Sequence, residues 1–76
     1  MVNSGDRVLI HRAPSVREDP EEAWNPEFEE MIGEHGTVVE DAFPYAPDTQ
    51  YVLVDVDGYD NFFLPMPILI NLTEEN

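Results

Sequence analysis

Carboxylates are the side chains with the most chemistry to offer in this chain. Seventeen Asp and Glu stand against three Arg and no Lys among 76 residues, a formal net charge of −14. Eight of the acids fall within residues 18–34, namely Glu18, Asp19, Glu21, Glu22, Glu27, Glu29, Glu30 and Glu34, interleaved with Trp24, Phe28 and Met31. Carboxylates spaced along a rigid turn can imitate nucleic-acid phosphates, so the basic groove of a DNA- or RNA-binding enzyme would accept them. Aromatics among them would supply the buried anchors that make such a contact specific. The plainer reading is that Trp24 and Phe28 fill the core or a lid while the acids form a solvated rim, as charge runs usually do. Paired carboxylates also suit acid–base catalysis of the glycosidase kind. That work needs one carboxyl desolvated in a deep cleft, and a barrel this small fills its interior with its own side chains.

The remaining candidates are few. His11 and His35 are the only imidazoles, and neither has a Ser or Thr beside it in a nucleophile arrangement. His35, between Gly33 and Gly36, is expected in an exposed turn, and His11 on the face of its strand opposite Val8 and Ile10. The run Asp55-x-Asp57-Gly58-x-Asp60 alternates carboxylates as a hard cation likes. An EF-hand loop, however, puts glycine at its sixth position and a bidentate glutamate at its twelfth, and neither is met here. Hairpin chemistry is the favoured reading, and no metal, cofactor or catalytic residue is expected.

The distribution of charge narrows the partners. Arg7, Arg12 and Arg17 all lie in the first quarter, while sixteen acids and no basic residue occupy positions 18–75. Such a surface repels nucleic acid, anionic membranes and phosphate substrates and attracts basic proteins. No apolar run approaches the length of a membrane span, and the opening residues lack the basic and apolar pattern of a signal peptide, so a soluble cytoplasmic protein is expected. With no cysteine to brace it, the fold must rest on packing.

The elements that must position these groups can be read from periodicity and punctuation. Val8 and Ile10 share one face of a first strand over residues 6–12. Residues 13–26 carry Pro14, Pro20 and Pro26 and form a long acidic excursion. Asn25-Pro26 reads as an N-cap and first helical position, with Glu27, Glu29 and Glu30 early in the turn where carboxylates suit the dipole. Phe28, Met31 and Ile32 would face the core before Gly33 stops the helix. A second strand over 36–41 leads to a proline-rich loop over 42–50 bearing Phe43 and Tyr45. The third, over 51–56, has Val52, Val54 and Val56 on one face. Asp57-Gly58 predicts a two-residue hairpin turn into a fourth strand over 59–64. Pro65-Met66-Pro67 breaks it, residues 68–72 return as a fifth strand, and 73–76 fray.

These elements predict one all-β domain over residues 1–76, a five-stranded, partly open barrel in which a long acidic connection with a short helix fills 13–35. Gly5-Asp6-Arg7-Val8, Ile32-Gly33-x-x-Gly36-Thr37-Val38-Val39, Tyr51-Val52-Leu53-Val54-Asp55 and Phe62-Phe63-Leu64-Pro65 resemble SH3-like barrels of several families. Among them are the C-terminal domain of nitrile hydratase β subunits, Mind bomb-type domains, KOW-like modules and small SH3-fold proteins of tailed phages. The likeness is one of fold, spans residues 5 to about 70, and carries no site across.

The expectation is a non-catalytic module whose partner-binding residues are Glu18, Asp19, Glu21, Glu22, Trp24, Glu27, Glu29, Glu30 and Tyr45. Its partner would be a basic protein surface, including that of a host nucleic-acid enzyme inhibited by a phage-type DNA mimic. The alternative is an accessory subunit that docks on a larger assembly through Trp24, Phe43 or Tyr45, its acids serving solubility alone. An enzyme subunit of the nitrile hydratase kind ranks below both, and the oligomeric state is open.

Overall fold

The computed structural model describes residues 2–19, 24–46 and 49–73, with the backbone alone at 41–46 and 49. Among the described residues five strands, β1 (Arg7–Ile10), β2 (His35–Ala46), β3 (Thr49–Val56), β4 (Asn61–Pro65) and β5 (Leu69–Asn71), form one antiparallel sheet in the order β4-β3-β2-β1-β5. Two short 3-10 helices interrupt it, η1 (Pro26–Met31) and η2 (Met66–Ile68). Because β5 folds back onto β1 while β4 lies at the other margin, the sheet curls without closing, giving the expected partly open barrel.

Alternation builds the interior. Val52, Val54 and Val56 from β3 meet Val8, Ile10, Val38, Leu64 and Ile68, all almost completely buried, while Asp55 faces water. Each such side chain contributes about 1.5–3 kcal/mol on leaving water, so this cluster is what holds a cysteine-free chain together. β2 and β3 approach so closely at Gly36 that a Cβ there would stand 2.6 Å from Val54 Cγ1 and 2.9 Å from the Asp55 carbonyl oxygen. Only glycine fits at this position, the second glycine of the Gly-x-x-Gly run.

Several boundaries differ from expectation. β1 ends at Ile10, where the chain turns away and the His11 N–H donates to the Ile68 carbonyl at 3.0 Å. The stretch expected as a loop over 42–50 is strand through Ala46 and again from Thr49, with Phe43 opposite Tyr51 and Pro44 opposite Gln50. Register shifts after Val38, Glu40 and Pro44 absorb the irregularity. Proline is tolerated because β1 pairs with β2 only at residues 35–37, so the missing N–H breaks no ladder on that flank. His35 accordingly opens β2 instead of lying in a turn, though it is exposed as expected.

The β3–β4 turn takes three residues and not two. The Tyr59 N–H donates to the Val56 carbonyl at 2.9 Å and the Val56 N–H to the Asp60 carbonyl at 3.2 Å, so β4 starts at Asn61. Gly58 sits at φ 81°, the conformation that glycine supplies without strain. β5 is shorter than residues 68–72, since Met66–Ile68 form η2. Thr73, expected to fray, is held: its Oγ1 accepts from the Arg7 N–H at 2.8 Å. Residues 74–76 lie outside the described ones, and no helix of the described residues is long and apolar enough to cross a membrane.

Candidate functional site

The connection after β1 begins with acids that are already spoken for. The Arg12 guanidinium grips the Glu18 carboxylate with two hydrogen bonds of 2.6 and 2.7 Å, and the Ser15 N–H donates to the same carboxylate at 3.0 Å. Those contacts, Arg12 foremost, hold the Glu18 carboxyl down at about 2. Asp19 turns inward, only 6% exposed, and accepts from the Trp24 backbone N–H at 2.7 Å and from the Tyr51 hydroxyl. Tyr51 and Val52 are consecutive in β3 and both are fully buried, so the sheet is covered on both faces here. Asp19 belongs to that second cover, whereas the Trp24 ring packs with Phe28 against the main core. Glu18, partly exposed, is thus paired within the connection, and Asp19 is buried against the barrel.

Beyond Trp24 the acids are used differently. Asn25 caps η1 as anticipated, its Oδ1 accepting from the Glu27 N–H at 3.0 Å, with Pro26 at the first helical position. The helix is 3-10, in which residues three apart stack one above another. That periodicity sorts the side chains into rows. Phe28 and Met31 form the row turned to the barrel, Glu27 and Glu30 an adjacent one, and Pro26 and Glu29 the third. Ile32, expected inside on a 3.6-residue period, is instead 39% exposed at the extended C-cap.

The inner row is extended by aromatics. Trp24 meets Phe28 edge-on with ring centroids 5.5 Å apart, and Phe28 meets Phe62 of β4 at 4.7 Å, tilted by 52°. Trp24 is half-buried, and its Nε1 is enclosed without a hydrogen-bond acceptor among the described residues. Between η1 and the β3–β4 hairpin lies an open groove of about 340 Å³ lined by Glu27, Phe28, Glu30, Met31, Tyr59 and Phe62. Tyr59, 40% exposed, reaches Glu30 with its hydroxyl at 3.5 Å from both the carbonyl oxygen and Oε1. Partial desolvation, then the charges of Glu30 and Glu34, push the Tyr59 phenol above its ordinary range.

The groove thus unites two of the expected partner residues, Glu27 and Glu30, with Phe28 and Met31 and with Tyr59 and Phe62 from the hairpin. Glu29 is exposed on the same helix but lines a different side. Glu21 and Glu22 lie outside the described residues, and Tyr45 contributes the backbone of β2, its side chain being outside them as well. Sequence reasoning missed Tyr59 and Phe62 because it treated the hairpin as turn and strand only. A large aromatic directly after Asp-Gly, on a segment returning past an aromatic helix row, was the available sign.

The calcium-like spacing serves the turn and its surroundings. Asp57 receives both nitrogens of Arg7 at 3.2 and 2.7 Å, and its carboxyl is lowered, first by those hydrogen bonds. Asp60 accepts from the Asn61 N–H at 3.0 Å. His11 and His35 are both exposed.

Fold and site together define a small antiparallel β-barrel with an acid-rimmed aromatic groove at one end of its hairpin. Comparison of the chain with protein-family models, with known proteins and with solved structures finds no match.

Proposed function

We propose that this protein is a non-catalytic binding module whose acidic face engages a basic protein surface, the nucleic-acid-binding face of an enzyme being the partner its charge suits best. One observation carries this reading. Glu27, Glu29 and Glu30 project from a single capped helical turn into solvent, on a chain of net charge −14, with no cation paired to them among the described residues. Anions spaced on a fixed scaffold resemble a run of phosphates to a surface built to bind them. The resemblance to small SH3-fold phage proteins fits an inhibitor that acts in a host cytoplasm by occupying such a surface.

The decisive measurement is capture of a partner from lysate at low salt followed by two challenges. Binding should weaken steeply between about 50 and 200 mM salt and should be displaced by duplex DNA or by RNA. Complexes indifferent to both challenges would exclude mimicry of nucleic acid. They would favour an accessory subunit docking through apolar side chains, a reading supported by Phe63 and Val39, which are 46% and 40% exposed.

A further inference from the structure

Resting on the acidic-module reading, and naming what its site takes, we infer that the groove between η1 and the β3–β4 hairpin receives an arginine side chain of the partner protein.

The groove offers two kinds of surface side by side. Glu27 and Glu30 stand three residues apart on a 3-10 helix, so their carboxylates rise from one row along one wall. Phe28 beside that row, half-buried, and half-buried Phe62 and exposed Tyr59 from the hairpin supply ring surface. Carboxylates beside aromatic faces attract cations, and a guanidinium uses both at once: its plane lies on a ring while its forked N–H groups meet carboxylate oxygens. An ammonium is more strongly hydrated and presents no plane, so it gains less from the same walls.

Among the described residues no cationic side chain lines the groove. Arg7 is committed to Asp57 and Arg12 to Glu18, each through two hydrogen bonds, and neither touches the groove. Glu27 and Glu30 pair with no cation among the described residues, and the only side-chain partner of Glu30 is the Tyr59 hydroxyl at the outer limit of a hydrogen bond. Open to solvent along its length, the groove suits a side chain arriving on a protein surface better than a small molecule that must be enclosed.

The test is an amide chemical-shift titration of the intact protein with three capped tripeptides, Gly-Arg-Gly, Gly-Lys-Gly and Gly-citrulline-Gly, alongside polyarginine binding at about 50 mM salt. The arginine peptide should move amides of residues 27–31 and 59–62 and bind several-fold tighter than the other two. A Glu27→Gln/Glu30→Gln variant should weaken it about tenfold, and Tyr59→Leu, at an exposed position, about threefold. The charge-matched Glu40→Gln/Asp55→Asn variant, altered at exposed strand positions outside the groove, should change it less than about twofold. Equal weakening by both double variants, or lysine bound as tightly as arginine, overturns the groove assignment while salt-sensitive polyarginine binding leaves the acidic-module reading in place. Failure to bind polyarginine at all overturns both.

Discussion

Two short acidic stretches flank Trp24, and they are alike in composition yet opposite in use. Before it, Glu18 and Asp19 have their oxygens claimed by Arg12, Ser15, the Trp24 backbone and the Tyr51 hydroxyl. After it, Glu27, Glu29 and Glu30 hang from a capped 3-10 turn into water. The first pair stitches the connection to the barrel, and the second set is what a partner would meet. Net charge alone does not separate the two roles. What separates them is whether the fold brings a donor within reach, and for Asp19 that donor comes from Tyr51, 32 residues away.

The largest effect should come from cutting the inner stitch. Asp19→Ala removes a buried carboxylate and leaves the Tyr51 hydroxyl and the Trp24 N–H in need of partners, a loss of about 2–4 kcal/mol in urea denaturation. Glu29→Ala, by contrast, should stay within about 0.5 kcal/mol. If the two variants unfold at similar urea concentrations, the distinction between stitched and free acids is wrong. Tyr51→Phe sharpens the point: its cost should be sub-additive with that of Asp19→Ala, because each removes the same hydrogen bond.

Next comes binding, where the ranking should invert. Glu27→Gln/Glu29→Gln/Glu30→Gln is expected to weaken association with a basic partner about tenfold or more at low ionic strength, through loss of both steering and contact. Glu18→Gln, with its charge already neutralised by Arg12, should alter the same Kd less than about threefold while lowering Tm. Comparable losses in Kd from the two variants would mean that position on the helix does not matter.

The Arg12–Glu18 pair also sets a pH signature. Its carboxyl titrates near 2 in the folded protein against 4.5 for the unfolded chain, so the unfolded state takes up a proton first as pH falls. The stabilisation is complete above about pH 4.5 and disappears on the way down to about 2. Asp6 and Asp57, both lowered by hydrogen bonds to their folded neighbours, act in the same direction. Both members of the Arg12–Glu18 pair remain partly exposed, so its share is only about 1 kcal/mol. Thermal melts of Arg12→Gln across this window should lose less stability on acidification than the natural sequence; a parallel decline in both would show that the pair contributes nothing.

Much of the barrel was legible from local pattern, and the reasons are physical. Alternating valines need one buried face, Asn25-Pro26 can begin a helix, glycine at 36 marks a place where the neighbouring strand leaves no room for a side chain, and glycine at 58 marks a left-handed turn conformation. What escaped depends on groups far apart in the chain. Pro44 looked like a breaker because its position on a strand flank without a neighbour is a property of the sheet and not of the residue. The phenol of Tyr51 and the carboxylate of Asp19 gave no local sign that they would meet. Glu29 and Glu30 are adjacent and identical, and only the placement of the hairpin against one row of η1, which local pattern did not show, puts one in the groove and the other out of it.

The smallest effect distinguishes the two acidic stretches by screening. Exposed carboxylates with no paired cation repel one another in the folded state, and added salt relieves that repulsion once the Debye length falls below their separation. Raising NaCl from about 10 to 500 mM should therefore increase Tm by a few degrees in the natural sequence. In Glu27→Gln/Glu29→Gln/Glu30→Gln the gain should shrink, because the crowded anions on η1 are gone. In Arg12→Gln it should grow, because Glu18 joins the unpaired set and the salt-resistant bidentate contact is lost. The opposite order of these two variants would place the repulsion elsewhere on the barrel and leave η1 with no special share of it.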